Sequence, residues 1–389
     1  MRILIALTYY RPHTSGLTIY VERLSKALAC RGHQVTVLTS HFDHRLPLEE
    51  QSDGVRVVRA PVMLRISKGV IMPTFGWLAT RLVLEHDIIH LHLPQFDAAG
   101  VALRGRLLGK PTVITYHCDL ELPTGSSYLK NKIVNYVVDL MNNLAAIFTH
   151  RIVTYTQDFA DHSPYLQRYR SKVNVITPPV ELPRVSPGEI EAFRAQHNPE
   201  NRHPVIGMAA RFAAEKGVEV LLDALPGILE RFPRARVLFA GQYRDVLGEE
   251  AYSLRLMSCI KKYQEEGHWQ FLGILDAAKM AAFYPNLDVL VVPSLNSTES
   301  FGLVQIEAMM NGVPVVASNL PGVRQPVHIT GMGEIAEIGD AASLRFVLAQ
   351  VLEHPENYRG DPAGITHRFS PDVTAAAYEK LFNELRQCG

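Results

Sequence analysis

VLVVPSLNSTESFGLVQIEAMMNGVPVVAS, residues 289–318, packs a strand, a loop, a helix and a second strand into one short stretch. Val289–Val292 is a continuous apolar run, which reads as a strand buried on both faces and stopped by Pro293. Ser294 to Ser300 is polar and reads as a loop. A helix is expected from about Phe301 through Met310, closed by Gly312, and Val313–Ala317 reads as the next strand. Two strands joined by a helix imply a parallel pair, so this segment predicts an α/β fold. Glu299 stands just before the helix and Glu307 inside it, with seven residues between them.

The same alternation extends outward in both directions. Val205–Ala209, Arg236–Ala240 and Trp269–Leu272 read as further strands, with a helix from Gly217 to Phe232 between the first two. In the first half, Ile3–Leu7, Val35–Leu38, Val55–Val58, Ile88–Leu91, Val113–Tyr116, Ile152–Tyr155 and Val173–Ile176 are strand candidates. Apolar residues at helical spacing, Leu17, Tyr20, Val21, Leu24 and Leu28, predict a helix ending at Gly32, and a longer one is expected over about Ser127 to Phe148. Residues 177–188, TPPVELPRVSPG, hold four prolines and read as a linker, because proline cannot donate to a ladder and restricts its neighbour. The expected organisation is therefore a domain at 1–182, a second at 183–370, and a closing helix at 371–389 that packs back toward the first. A chain of 389 residues is long enough for two such cores.

A helix start offers unpaired N–H groups and a partial positive charge, so the N–H groups of Phe301, Gly302 and Leu303 suit phosphate or hydroxyl oxygens. Carboxylates beside them accept hydrogen bonds from sugar hydroxyls. The plainer alternative makes Glu299 a capping carboxylate and Glu307 a solvated helix residue. In GMAARFAAEKG, residues 207–217, Arg211 follows a strand and Lys216 opens the next helix. Both fall at the carboxyl edge of the second sheet, the edge that carries Glu299, where they could neutralise a diphosphate.

At this point the chain resembles a known family. ESFGLVQIE, with Glu299 and Glu307, is similar to the E-x7-E signature of retaining GT-B glycosyltransferases, family 4. Arg211 and Lys216 match that family's donor-phosphate pair, and MRILIALTYYRPHTSGLTIYVERLSKAL, DIIHLHLP (87–94) and VITYHCDL (113–120) resemble its first-domain motifs. The resemblance implies two Rossmann-like domains facing across a cleft, and transfer of a sugar from a UDP- or GDP-linked donor to a hydroxyl with retention of configuration. It implies that Glu299 holds donor-sugar hydroxyls, Glu307 the ribose, and Arg211 and Lys216 the diphosphate, with the base near Ile274 and Leu275. It also implies that His117 faces the donor sugar, that Gly16 belongs to the first glycine loop, and that Asp119 and Glu121 lie on the acceptor side. Ser15-Gly16 departs from the Gly-Gly pair common in that loop. No Asp-x-Asp pair of the metal-binding kind occurs, so neither metal nor other cofactor is expected. His90 and His92 share a strand face but lack a third ligand nearby in sequence, which favours a structural role. Two rivals stay open: another GT-B activity (an epimerase or inverting transferase), or a non-catalytic sugar-nucleotide-binding subunit.

Composition narrows the partners. Hydrophobic residues at 47% and charged residues at 20% exclude a disordered chain. A net charge of zero argues against a general nucleic-acid binder. The charge is uneven, with 20 Lys and Arg against 14 Asp and Glu in residues 1–182, and 19 against 25 thereafter. Arg56, Arg59, Arg65 and Lys68, with Lys130 and Lys132 on the long helix, fit peripheral contact with anionic lipid and a glycan, lipid or lipid-linked acceptor. They fit an ordinary solvated rim as well. Cys30, Cys118, Cys259 and Cys388 form no C-x-x-C pair and read as free thiols of a cytoplasmic protein, at the inner face of the membrane if the lipid reading holds. GMGEIA (331–336) fits a dinucleotide pattern on paper only, with no strand expected before it and no helix after it.

Overall fold

Buried apolar runs organise the chain into two parallel sheets. The computed structural model describes residues 1–66, 69–119 and 128–387. It divides into two units, Met1–Pro179 together with the chain from Phe369, and Val180–Arg368.

The first unit holds β1 (Arg2–Ala6), β2 (Gln34–His41), β3 (Glu49–Ser52), β4 (Val55–Pro61), β5 (Leu64–Ile66), β6 (Gly69–Ile71), β7 (Ile88–Leu93), β8 (Thr112–Tyr116), β9 (Arg151–Thr154) and β10 (Val173–Val175). Eight of them form one sheet in the order β10-β9-β8-β7-β1-β2-β4-β3. All pairs are parallel except β3 with β4. Strands β1 and β7 sit centrally, and every residue of β7 is buried, as expected where helices cover both faces. The helix Gly16–Cys30 is capped by Ser15, whose hydroxyl accepts from Thr18 N at 3.2 Å. The closing helix Pro371–Gln387 packs on it: Tyr20 and Tyr378 share a 2.8 Å hydroxyl contact, and Arg31 pairs with Asp372 and Glu379.

The second unit holds β11 (Val205–Ala209), β12 (Arg236–Ala240), β13 (Trp269–Gly273), β14 (Val289–Val292), β15 (Val315–Ser318) and β16 (Gly333–Ala336), in the order β13-β12-β11-β14-β15-β16. All pairs are parallel. Order reverses beside β11 and β14, so the loops after these two strands flank the switch point where ligands bind in such sheets. The proline-rich stretch ends in a helix, Pro187–His197, started by a reciprocal capping box of Ser186 and Glu189.

Two local readings need correction. Residues 333–336 of the GMGEIA stretch are a strand, β16, and Gly333 is glycine because a Cβ there would lie 1.8 Å from Val315 O. The helix of the Glu299 segment is Leu303–Met309, later than expected, because Gly302 adopts φ +76°, a left-handed value that cannot continue a helix backward. Among the described residues no helix is long and apolar enough to cross a membrane.

Candidate active site

In the second unit, the loops after β11 and β14 are locked to each other through their backbones. Gly217 has φ +66°, and a Cβ on it would lie 2.0 Å from Pro293 O. Leu295 N donates to Glu215 O at 2.9 Å. This contact places Lys216 beside the Glu299 loop. Lys216 Nζ donates to Glu299 Oε2 at 2.8 Å, with the two side chains 16% and 24% exposed. Glu299 Oε1 meanwhile accepts from Gly302 N at 2.9 Å. Glu299 thus holds the N–H of the residue just ahead of the helix and binds a cation across 83 residues of sequence.

Several expected site residues take different positions from those anticipated. The Gly302 N–H, expected to meet a ligand, is given to Glu299. Arg211 is on the same edge, but its guanidinium donates to Glu215 Oε1 at 2.9 Å and is 45% exposed. Glu307 is buried, not solvated, and its Oε2 accepts from Tyr284 OH at 2.7 Å. Phe301 is buried and its carbonyl accepts from Gln305 Nε2 at 2.7 Å, while Leu303, half-buried, opens the helix. Ile274 stands out at 69% exposed just after β13, with Leu275 half-buried beside it. Nearby, Tyr243 stacks on Phe271 at 4.2 Å between ring centres.

The first unit holds the remaining candidates. Gly16 is exposed, and a Cβ on it would meet nothing within 4 Å. The turn there comes from the extended Ser15 cap, not from a left-handed glycine. His117 is buried, and both of its ring nitrogens are engaged. Its Nε2 lies 2.8 Å from His92 Nδ1, and its Nδ1 meets Tyr155 OH. Both ring nitrogens of His117 thus bond to partners in its own unit. His90 joins the cluster, with its ring 4.3 Å from that of His92 and its Nε2 2.7 Å from Thr115 Oγ1. Burial holds His90 and His117 down to about 3, and burial followed by the two neighbouring histidines holds His92 well below its ordinary value, so all three rings are neutral near pH 7. Asp119 Oδ1 accepts from Tyr116 OH at 2.8 Å and from Ser163 Oγ at 2.7 Å. Burial raises the Asp119 carboxyl, and these two bonds oppose the rise. Asp119 thus cross-links elements of its unit. Glu121 lies outside the described residues, as does Lys68. No group of three or more His, Cys, Asp or Glu side chains is placed to hold a metal ion among the described residues.

Sequence reasoning missed Glu215, Tyr284, His92 and Tyr155 as partners. Only Gly217 left a readable trace, a glycine directly after the cation at a strand–helix turn.

Comparison with known proteins fixes the family. Residues 14–184 match the family described as Glycosyltransferase Family 4, and residues 189–360 match Glycosyl transferases group 1. The chain belongs to glycosyltransferase family 4. It is an enzyme of the hexosyltransferase type. The glycosyltransferase is 27% identical over 405 residues to the phosphatidyl-myo-inositol mannosyltransferase of Mycobacterium leprae, covering 100% of this chain and 98% of that one. It is 26% identical to the D-inositol 3-phosphate glycosyltransferase of Segniliparus rotundus, covering 92% and 82%. Its fold matches the Anabaena protein HepE solved with UDP-glucose at a TM-score of 0.76 and 20% identity, covering 99% and 100%. The glycosyltransferase therefore has the GT-B fold.

Proposed function

We propose that this glycosyltransferase moves a sugar from a nucleoside diphosphate to a hydroxyl acceptor with retention of configuration and without a metal. The observation that carries the reading is the grip of Lys216 and the Gly302 N–H on Glu299 at the switch point of the second sheet. A cation held 16% exposed and a carboxylate pinned at both oxygens are pre-positioned groups, which is what stabilising a developing charge requires.

As the bond to the sugar breaks, negative charge grows on the leaving diphosphate and positive charge on the sugar ring. Lys216 and Arg211 would meet the first, and Glu299 would hold hydroxyls of the sugar. Glu307, fixed by Tyr284, would hold the ribose, and the base would lie near Ile274 and Leu275, where an exposed apolar side chain already stands. The leaving phosphate would take the acceptor's proton on the face it departs from, so no side-chain base is needed. His117 would act through the neutral imidazole its surroundings enforce, as a shaped wall rather than a proton carrier.

The acceptor would be carried by the first unit. The two relatives are named for inositol-based acceptors, which supports a polyol, free or lipid-borne. A lipid acceptor would place the protein at an anionic membrane surface on the cytoplasmic side. Exposed Trp77, Leu107 and Met63, with Arg65 in the same unit, support that position.

Lys216→Ala tests the donor reading. Turnover should fall by at least ~10²-fold, as for loss of one preorganised charge contact. Near-normal turnover in a folded variant would remove the reading. Anomeric configuration of the product, read by NMR, separates retention from inversion, and full activity in EDTA is expected.

A further inference from the structure

The turn that carries Lys216 is held from a second side. Lys216 closes the short 3-10 turn Ala214–Lys216, and Gly217 then starts the helix Val218–Arg231. The close approach to Pro293 O requires glycine at 217, so this helix has no side chain at its cap position and no capping bond forms there. The N–H groups of the turn and of the helix's first residues still need acceptors. Two of them are met from 35 and 33 residues further along the chain.

Glu249 ends the loop after β12, just ahead of the helix Glu250–Glu265, and its Oε2 accepts from Ala214 N at 3.0 Å. Tyr252, in the first turn of that helix, accepts at its hydroxyl from Glu219 N at 3.3 Å and donates to Glu219 Oε2. The Tyr252 ring, 8% exposed, lies 5.5 Å from that of the buried Phe212. The backbones agree with these contacts. Phe212 N donates to Gln242 O at 2.8 Å, and a Cβ on Gly241 would lie 2.0 Å from Ala210 O. Strand β11 stands between β12 and β14, so the loop that follows it is gripped by one neighbouring loop through Gly241 and Glu249, and by the other through Pro293 and Leu295.

A lysine stem is flexible, so where its ammonium points depends on its partner and on the backbone it leaves from. Glu299 supplies the partner. Ala214 and Glu219 stand on either side of Lys216, and fixing both fixes the backbone between them. We infer that Glu249 and Tyr252 are positioning residues for Lys216: they clamp the turn on both sides of the lysine, so that its ammonium is presented to the diphosphate of the donor. The inference rests on the proposed donor reading. Both residues act through Lys216, so neither can cost more in donor binding than Lys216 itself contributes.

The test uses the full chain, with UDP and GDP as probes of the diphosphate. Titration calorimetry gives affinity and the number of competent sites separately, so a variant that is only less well folded loses sites and keeps its affinity. In Lys216→Ala the nucleotide should bind at least ~10-fold more weakly, the scale for a hydrogen bond to a charged group. Glu249→Gln and Glu249→Ala remove the same charge, but only glutamine keeps an oxygen for Ala214 N, so their comparison isolates the bond. Glu249→Ala should bind ~3- to 10-fold more weakly than Glu249→Gln, and Tyr252→Phe more weakly than wild type by a similar factor. In the Lys216→Ala background the difference between Glu249→Ala and Glu249→Gln should shrink below ~2-fold, because the group they position is gone. Equal affinity of Glu249→Ala and Glu249→Gln, wild-type affinity in Tyr252→Phe, or losses that add fully to that of Lys216→Ala would each overturn the inference and leave the donor reading in place. A wild type that binds neither UDP nor GDP, or a Lys216→Ala variant that binds as wild type does, sinks the donor reading and this inference with it.

Discussion

Replacing Gly217 with alanine should separate the two loops that bring Lys216 to Glu299. The added Cβ would start 2.0 Å from Pro293 O, whereas ordinary contact begins at about 3.4 Å. The backbones must therefore part by more than 1 Å. The obstacle is a carbonyl, so no side-chain rotation relieves it. Lys216 adjoins the displaced residue and Glu299 lies six residues beyond Pro293, so the 2.8 Å contact between them should stretch past hydrogen-bonding range. A misplacement of that size in a positioned group costs about 10²-fold in rate. Stability suffers too, by about 1–2 kcal/mol for alanine in the left-handed region and about 1–3 kcal/mol for the overpacking. Gly312→Ala separates these effects. Gly312 has φ +76°, but a Cβ on it would meet nothing within 4 Å, so alanine there carries the backbone strain without the clash. Turnover of the two variants should be compared well below both melting temperatures, with urea unfolding alongside. Gly217→Ala should lose stability and about two orders of magnitude in turnover, and Gly312→Ala stability alone. Wild-type turnover in Gly217→Ala would show that this close approach does not set the catalytic geometry.

Other perturbations give sharper single readouts. Glu299→Gln keeps an oxygen for the Gly302 N–H but removes the charge facing Lys216, so turnover should drop ~10- to 10²-fold with the fold retained, and an unchanged rate would refute the pairing's role. Tyr284→Phe withdraws the hydroxyl that fixes Glu307, and the donor KM should rise several-fold with kcat little changed; a KM equal to wild type would free Glu307 from the donor site. Gly16→Ala meets open space at an ordinary φ, so its melting temperature should match wild type, and a loss of substrate affinity would then report ligand contact at that loop. His90, His92 and His117 titrate below the usual 6.5 because they are buried, so the unfolded chain takes up protons first as pH falls. Their stability contribution is whole above pH 6.5 and falls with pH below it, for His90 and His117 by about 2 kcal/mol each at pH 5, and equal urea midpoints at pH 7.5 and 5 would contradict this.

Much of the framework is legible because parallel strands are buried on both faces. Ile3–Leu7 and Val289–Val292 stand out as apolar runs whatever their tertiary partners, and the helix of Leu17 to Leu28 shows its period. Strand β3, Glu49–Ser52, escapes that logic. It is polar and mostly exposed, and it forms because an edge needs only backbone pairing with β4. β16 was not anticipated, because GEIA is short and only half apolar, and its Gly333 answers to the carbonyl of Val315. At the site, the edge that carries Arg211, Lys216 and Glu299 follows from strand order alone. What each side chain touches does not. Glu307 lies on the face of its helix turned to Tyr284, a partner 23 residues earlier in another element, and nothing in ESFGLVQIE encodes it. His117 sits one residue past β8, where a loop residue would normally be exposed, and only its packing against Tyr20, His92 and Tyr155 draws it inward.

The two cations of the second unit are not equivalent, and the difference lies in their surroundings. Arg211 is 45% exposed and paired with Glu215 on its own loop, so water screens it and its pair forms locally. Lys216 is 16% exposed and its partner belongs to the next loop of the sheet. A less solvated charge acts through a lower effective dielectric, so Lys216 exerts the stronger field on anything bound beside it. Its position also depends on Glu299 in a way that of Arg211 does not. On the proposed donor reading, removing the Glu299 carboxylate would do two things at once: delete an acceptor for ligand hydroxyls, and release the ammonium and the Gly302 N–H together. Two groups that lock each other in place act as a unit, and the losses from Lys216 and Glu299 variants should overlap instead of adding. The acidic residue that marks the family in sequence owes part of its importance to the cation it holds.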